Sequence, residues 1–141
     1  MGCETLNKAI MLLEKADNTC VLCGRDVVLT DKRRGIRPLL DLLETGTDVS
    51  GFSVADKVVG KAAAFLYCLL KIGNLYAGVI SQPALEVLRT HGIETEYGQL
   101  VEAIRNRTGD GFCPMERAVW EIDNPGDALP ALQAALAKLQ K

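Results

Sequence analysis

The stretch from Ser53 to Ile72, SVADKVVGKAAAFLYCLLKI, limits the folds open to this chain more than any other. Val54, Val58, Val59, Ala62, Ala63, Phe65, Leu66, Leu69 and Leu70 go nearly all the way round a helical wheel. A helix apolar on every side needs neighbours on every side, so it belongs in the middle of a domain. Ser53 and Asp56 have the spacing of a capping box, and Gly73 suits a helix end. Together they predict one long helix over Ser53–Ile72.

The flanking segments supply the other layers. Thr5–Ala16 predicts a helix with Leu6, Ile10 and Leu13 on one face. Cys20–Cys23 and Val27–Thr30 predict a hairpin that turns at Gly24, Arg25 and Asp26. Pro38 suits the first turn of a second helix and Gly46 its end. Leu75–Ser81 reads as a buried strand, and Gln82–Thr90 as a helix opening with Pro83. Gly92–Tyr97 reads as a short strand and Gln99–Arg105 as a helix, while Pro114–Glu121 fits helix, strand or a mixture. Asp127 is placed to cap a last helix, Ala128–Leu139, striped by Leu129, Leu132, Leu136 and Leu139; Pro130 falls in its first turn. Strands alternating with helices predict an α/β fold, a three-layer α/β/α sandwich. The hairpin makes its sheet mixed. The 141 residues suffice for one domain, residues 1–141.

Composition narrows the function classes. With 48% hydrophobic and 24% charged residues the chain is globular. A net charge of −2 gives no footing for general nucleic-acid binding. The longest uncharged apolar run, Ala62–Leu70, falls well short of the roughly 20 residues a bilayer needs, so no membrane span is expected. Met1-Gly2-Cys3-Glu4 has no basic start followed by an apolar run, so a cytoplasmic protein is expected. Its five cysteines are then expected to be free thiols, with no metal and no cofactor. Cys20 and Cys23 match C-x-x-C, but positions three apart on a strand point to opposite faces. Cys68 reads as core, and His91 as a surface residue beyond a helix.

Three groups of residues could carry chemistry. In NRTGDGFCPMERAV, Cys113 has the N-cap position, Pro114 the first and Glu116 the third helical position. Free N–H groups and a partial positive charge there favour a thiolate; Arg117 would assist and Glu116 oppose. The loop before it could wrap an anion. The competing reading is a small buried cysteine at a tight turn. The second group is Asp56, Lys57 and Lys61, charges interrupting an apolar helix, with Lys57 and Lys61 one turn apart and Gly60 leaving room between them. They line a ligand cleft or form a narrow solvated stripe. The third is the basic cluster Lys32, Arg33, Arg34 and Arg37, a phosphate site or a solvated charge run.

The order helix, hairpin, helix, apolar helix, strand, helix resembles the cytidine-deaminase-like fold. In that family an H/C-x-E motif opens the apolar helix and P-C-x-x-C the helix after the next strand. SVADKVVGKAAAF and YAGVISQPALEVL stand at those landmarks. Pro83 matches the family proline, but Ala84 and Val87 replace the two zinc-binding cysteines and no His-x-Glu precedes them. Asp56 alone cannot stand for a three-ligand zinc site. The resemblance therefore implies the scaffold without its zinc chemistry. GIRPLL, ADKVVGKAAA and NRTGDGFCPME together are similar to an uncharacterised bacterial domain-of-unknown-function family with this fold, from about Thr19 to Ile122. That resemblance implies no activity. The wider fold holds ligands at the N-terminal ends of the two helices, which implies a pocket near Asp56, Lys57, Ser81 and Pro83. Arg107, Cys113 and Glu116 are candidates to reach it.

Three functions compete on this reading. The first is a non-zinc binding domain for a nucleotide-like small molecule. The second is a thiol enzyme using Cys113 for sulfur or acyl transfer, with Lys57 or Lys61 as acid–base or anion partner. The third is a structural or regulatory module whose last helix docks on another chain, including a homo-oligomer.

Overall fold

The computed structural model describes residues 2–15, 17–24, 26–33, 35–104 and 114–139. Ala16, Arg25, Arg34 and Arg105 lie outside them, as does the loop holding Arg107 and Cys113. The side chains of Cys3 and Leu139 also lie outside. The chain runs α1 (Gly2–Leu13), β1 (Cys20–Cys23), β2 (Val28–Asp31), α2 (Arg37–Thr45), β3 (Ser53–Val59), α3 (Lys61–Leu70), β4 (Asn74–Ser81), α4 (Gln82–Thr90), β5 (Glu94–Val101), α5 (Pro114–Val119) and α6 (Pro125–Leu139). The strands form one sheet in the order β2-β1-β3-β4-β5. β1 pairs antiparallel with both β2 and β3, while β3, β4 and β5 are parallel.

Helices cover both faces, giving the three-layer α/β/α sandwich with a mixed sheet. On one face α1 packs over β1 and β3, joining Ala9 and Leu13 to Val21, Cys23 and Ala55. On the other face lies the larger core, with α3 at its centre between α2, α4, α5 and α6. Ala62, Ala64, Phe65, Leu66 and Tyr67 of α3 are all buried. Cys20 belongs to the larger core and Cys23 to the smaller, so the two thiols point to opposite faces and cannot share an ion.

The predicted helix over Ser53–Ile72 is two elements. Ser53–Val59 is the central strand β3, and only Lys61–Leu70 is helical. A strand buried on both faces is as continuously apolar as a buried helix, so the pattern could not separate them. The valines favour the strand. Gly60 is the N-cap of α3 and not an interior residue. Ser53 is a strand residue and not a helix cap, and its hydroxyl bonds Thr5 Oγ1 of α1 at 2.5 Å. Lys71, at φ 60°, ends α3 in place of Gly73. Gln99–Val101, expected as helix, extend β5. α6 begins two residues before Asp127, and Asn124 Oδ1 caps it by accepting the Gly126 N–H at 2.7 Å. Ser81 as N-cap of α4 and Gly46 at φ 68° after α2 match their turn chemistry.

The alternation of the sheet breaks once, in line across three strands. Val54 and Asp56 face the larger core, and so does Val59; on β4 the inward residues are Leu75, Ala77 and then Ile80. The step of three falls at Lys57 and at Gly78, which align with Gly98 of β5. A Cβ on Gly78 would lie 2.8 Å from the Lys57 carbonyl oxygen, and one on Gly98 2.9 Å from that of Gly78. Backbone cannot yield there, so both positions need glycine.

Candidate functional site

The parallel strands β3 and β4 end side by side, and α3 and α4 start from those ends. Open α/β sheets receive ligands at this edge. Gly60 hands the chain from β3 to α3 with its backbone extended, at φ −99° and ψ −179°. This exposes the first N–H groups of α3. Glu116, on α5, meets them. Its Oε1 accepts the Lys61 N–H and its Oε2 the Ala62 N–H, both at 2.8 Å. The carboxylate also occupies the space a Gly60 side chain would need, since a Cβ there would lie 2.5 Å from its oxygens. Burial raises the Glu116 pKa; the two N–H groups and the Lys61 charge act against that rise. The Lys61 ammonium turns elsewhere, donating to the Trp120 carbonyl at 2.7 Å and lying 5.6 Å from the Phe65 ring centre.

A second cluster lies between β3 and the middle of α3. Tyr67 Oη donates to Asp56 Oδ2 at 2.6 Å, and the Asp56 Oδ1 accepts the Val58 N–H at 3.3 Å. The Cys20 thiol lies 3.2 Å from Tyr67 Oη. Because the phenol proton is directed at Asp56, the thiol donates to the phenol oxygen. Asp56 is half-buried. Burial pushes its carboxyl up to about 7, against the opposing pull of Tyr67 and of the Val58 and Lys57 N–H groups. Tyr67 and Cys20 are both held well above their ordinary values, first by burial and then by the charge of Asp56. Asp56 is thus the member of the chain that exchanges a proton near neutrality. A carboxylate offers about four acceptor positions. Among the described residues Tyr67 and the Val58 N–H take two, and the Lys57 N–H acts on the same carboxyl, which leaves at least one position on the side open to solvent.

The sequence candidates separate accordingly. Lys61 and Glu116 come together at the start of α3, and Ser81 sits at the start of the adjacent α4, where its Oγ accepts the Ala84 N–H at 3.3 Å. Asp56 belongs to the second cluster. Lys57 shares no helix with Lys61: it is an exposed residue of β3, on the strand and not one turn away. Arg107 and Cys113 lie outside the described residues. In the basic cluster, Arg33 is committed to Asp31 at 2.8 Å and Asp41 at 2.7 Å. His91 is exposed, its Nδ1 2.9 Å from the Val87 carbonyl oxygen. Sequence reasoning missed Tyr67 and Cys20. A buried tyrosine in an apolar helix was the available signal, since its hydroxyl needs a partner. A separate cleft, lined in part by Leu6, Asn74, Arg89 and Glu96, lies at the opposite ends of β4 and β5 and contains neither cluster.

The described thiols are held protonated. Burial raises Cys20 and Cys23, and pushes Cys68 up to about 11. In the native protein at pH 7, Cys20, Cys23 and Cys68 are expected to react with iodoacetamide at least tenfold more slowly than a free thiol. Peptide mass spectrometry over a time course checks this, and fast labelling of Cys20 or Cys68 would contradict it. Fast labelling elsewhere would map to Cys3 or Cys113.

Residues 8–136 match the family model described as TM1506: Domain of unknown function (DUF1893). No curated protein matches the chain. Among solved structures, the DUF1893 family protein TM1506 from Thermotoga maritima is similar with a TM-score of 0.84 and 29% identity, over 96% of this chain and 90% of that one. A diaminohydroxyphosphoribosylaminopyrimidine deaminase/5-amino-6-(5-phosphoribosylamino)uracil reductase, also from Thermotoga maritima, gives a TM-score of 0.44 at 16% identity, over 67% of this chain and 35% of that one. The dCMP deaminase of cyanophage S-TIM5 gives 0.45 at 9% identity, over 68% of this chain and 95% of that one. Likeness at the level of these two deaminases says nothing of shared chemistry.

Proposed function

The chain belongs to the DUF1893 family, a domain of unknown function, and on that premise we propose that it binds a small molecule through Asp56, beside the edge where β3 passes into α3. One observation carries the reading: a half-buried carboxyl, oriented by Tyr67 and holding, among the described residues, an acceptor position that no partner takes. A carboxyl kept out of water favours a ligand that brings hydrogen-bond donors or a positive charge. A nucleobase with adjacent N–H groups fits, because a carboxylate accepts two such groups side by side. The start of α3 is taken by Glu116, and the Ser81 hydroxyl takes one N–H of α4. A phosphate is therefore not required, and bases or nucleosides suffice. Residues 1–141 as one domain, and a reducing, cytoplasmic setting for the free thiols Cys20, Cys23 and Cys68, accompany this reading.

Thermal shift followed by titration calorimetry against nucleobases, nucleosides and nucleotides tests it. A rise in Tm of several degrees with one base class is expected, reduced at least tenfold in affinity by Asp56→Asn. Asn keeps the shape but turns an acceptor into a donor. Binding that survives Asp56→Asn unchanged would refute the role of Asp56. A flat response across the panel would refute the ligand class.

A further inference from the structure

On its face of the sheet α1 packs against β1, β3 and β4, and β5 lies beyond it at the end of the sheet. A cleft of about 510 Å³ follows that step, a size ordinary for small-molecule sites. It runs from Leu6 of α1 past Asn74 of β4 to Glu94 and Glu96 of β5, and reaches Arg89 in the last turn of α4. Leu75 and Ala77 face the larger core, so Asn74 and Tyr76 face the α1 side, where Tyr76 packs on the smaller core. The register sets Glu94 beside Asn74 and Glu96 beside Tyr76. This stretch precedes the break at Gly78 and Gly98, so both acids share the α1 face with the Asn74 amide. Asn74 Oδ1 is buried and has no hydrogen-bond partner among the described residues. A buried acceptor without a donor is a cost that a bound group removes. Asn74 as a whole is half-buried and its χ2 torsion is soft, so a turn of the amide brings the oxygen to the cleft. Arg89, Glu94 and Glu96 are exposed, and among the described residues none of them enters an ion pair.

We propose that this cleft binds a free α-amino acid with an apolar side chain. Its ammonium is held by Asn74 Oδ1, Glu94 and Glu96, its carboxylate by the Arg89 guanidinium, and its side chain lies against Leu6. Glu94 and Glu96 are about 7 Å apart along one strand face, so their long side chains converge on a single ammonium. Two carboxylates and an amide oxygen suit a group with three N–H donors and a positive charge. The guanidinium offers a planar fork that a carboxylate matches with two hydrogen bonds. An inorganic cation would leave Arg89 unanswered, and a simple anion would meet two carboxylates. A ligand carrying both charges answers both ends. Leu6 supplies an apolar wall on the α1 side. The cleft is independent of Asp56, whose side chain is on the other face of the sheet.

Amide NMR of the full chain titrated with L-leucine tests the site. Saturating shifts are expected at the backbone amides of Ile93, Glu94, Thr95 and Glu96 and at the Asn74 side-chain amide, with a Kd of about 1 mM or tighter. Arg89→Ala, and Glu94→Gln combined with Glu96→Gln, are each expected to weaken binding about tenfold or more. All three side chains are exposed, so these variants keep the fold, and their melting curves verify it. Leucinamide lacks the carboxylate and N-acetylleucine lacks the ammonium. Each is expected to bind about tenfold more weakly than leucine. No saturation by about 20 mM leucine would overturn the proposal. So would shifts confined to residues away from the cleft, analogues that bind as well as leucine, or full affinity in folded Arg89→Ala.

Discussion

Replacing Glu116 with alanine is expected to cost about 3–5 kcal/mol and lower Tm by roughly 10 °C or more. The substitution takes the carboxylate acceptor away from the buried Lys61 and Ala62 N–H groups and empties the space that the buried Glu116 side chain fills. Hydrogen bonds to a charged group contribute about 1.5–3 kcal/mol each, and an unsatisfied buried donor keeps its full desolvation cost. Glu116→Gln preserves the shape but turns an NH2 towards an N–H, so an intermediate loss is expected. Gly60→Ala attacks the same contact from the other side, since its methyl would displace the carboxylate. The two alanine variants should therefore combine far less than additively, with a coupling above about 1 kcal/mol. Chemical denaturation of the two single variants and the double variant measures this. A wild-type Tm for Glu116→Ala, or simple additivity, would show that the contact does not hold α3.

Stability is expected to fall as pH rises from about 4 to 7, and Asp56 is the cause. Its carboxyl titrates near 3.8 when unfolded and near 7 when folded. Between those values the native state binds more protons than the unfolded state, so stability decreases with pH and levels off above 7. Glu116, also raised, adds in the same direction. At about 1.4 kcal/mol per pH unit the Asp56 shift would reach about 4 kcal/mol. Asp56 is half-buried, and the screening that its open side allows brings that to ~2 kcal/mol. The expected fall in Tm is roughly 5–10 °C. Asp56→Asn, which holds no titrating proton, should flatten most of the slope. Melting curves at half-unit steps of pH decide the matter, and a slope unchanged in Asp56→Asn would assign it to another group.

Turn chemistry was legible where the element type was read correctly, and long-range partnership was not. Pro38 and Gly46 bounded α2, and Pro83 opened α4, because such turns depend on a few adjacent residues. Ser53–Ile72 misled because a central strand and a central helix are written in the same apolar residues. Asp56 stood out as a charge in an apolar run, and its burial justifies that notice. Its partners did not stand out: Tyr67 and Cys20 meet it only once α3 folds back over β3. Glu116 was read as an acid in the first turn of its own helix, opposing Cys113. Its carboxylate instead serves α3, 54 and 55 residues earlier in the chain.

That separation has a consequence during synthesis. A ribosome makes β3, α3, β4 and α4 before it reaches Glu116. For that interval the amino end of α3 has no internal acceptor from α5, and the helix most central to the finished core is incomplete. α3 is thus closed by a residue from the last quarter of the chain, so a nascent chain held short of α5 is expected to exchange the amide protons of Lys61 and Ala62 that the released protein protects.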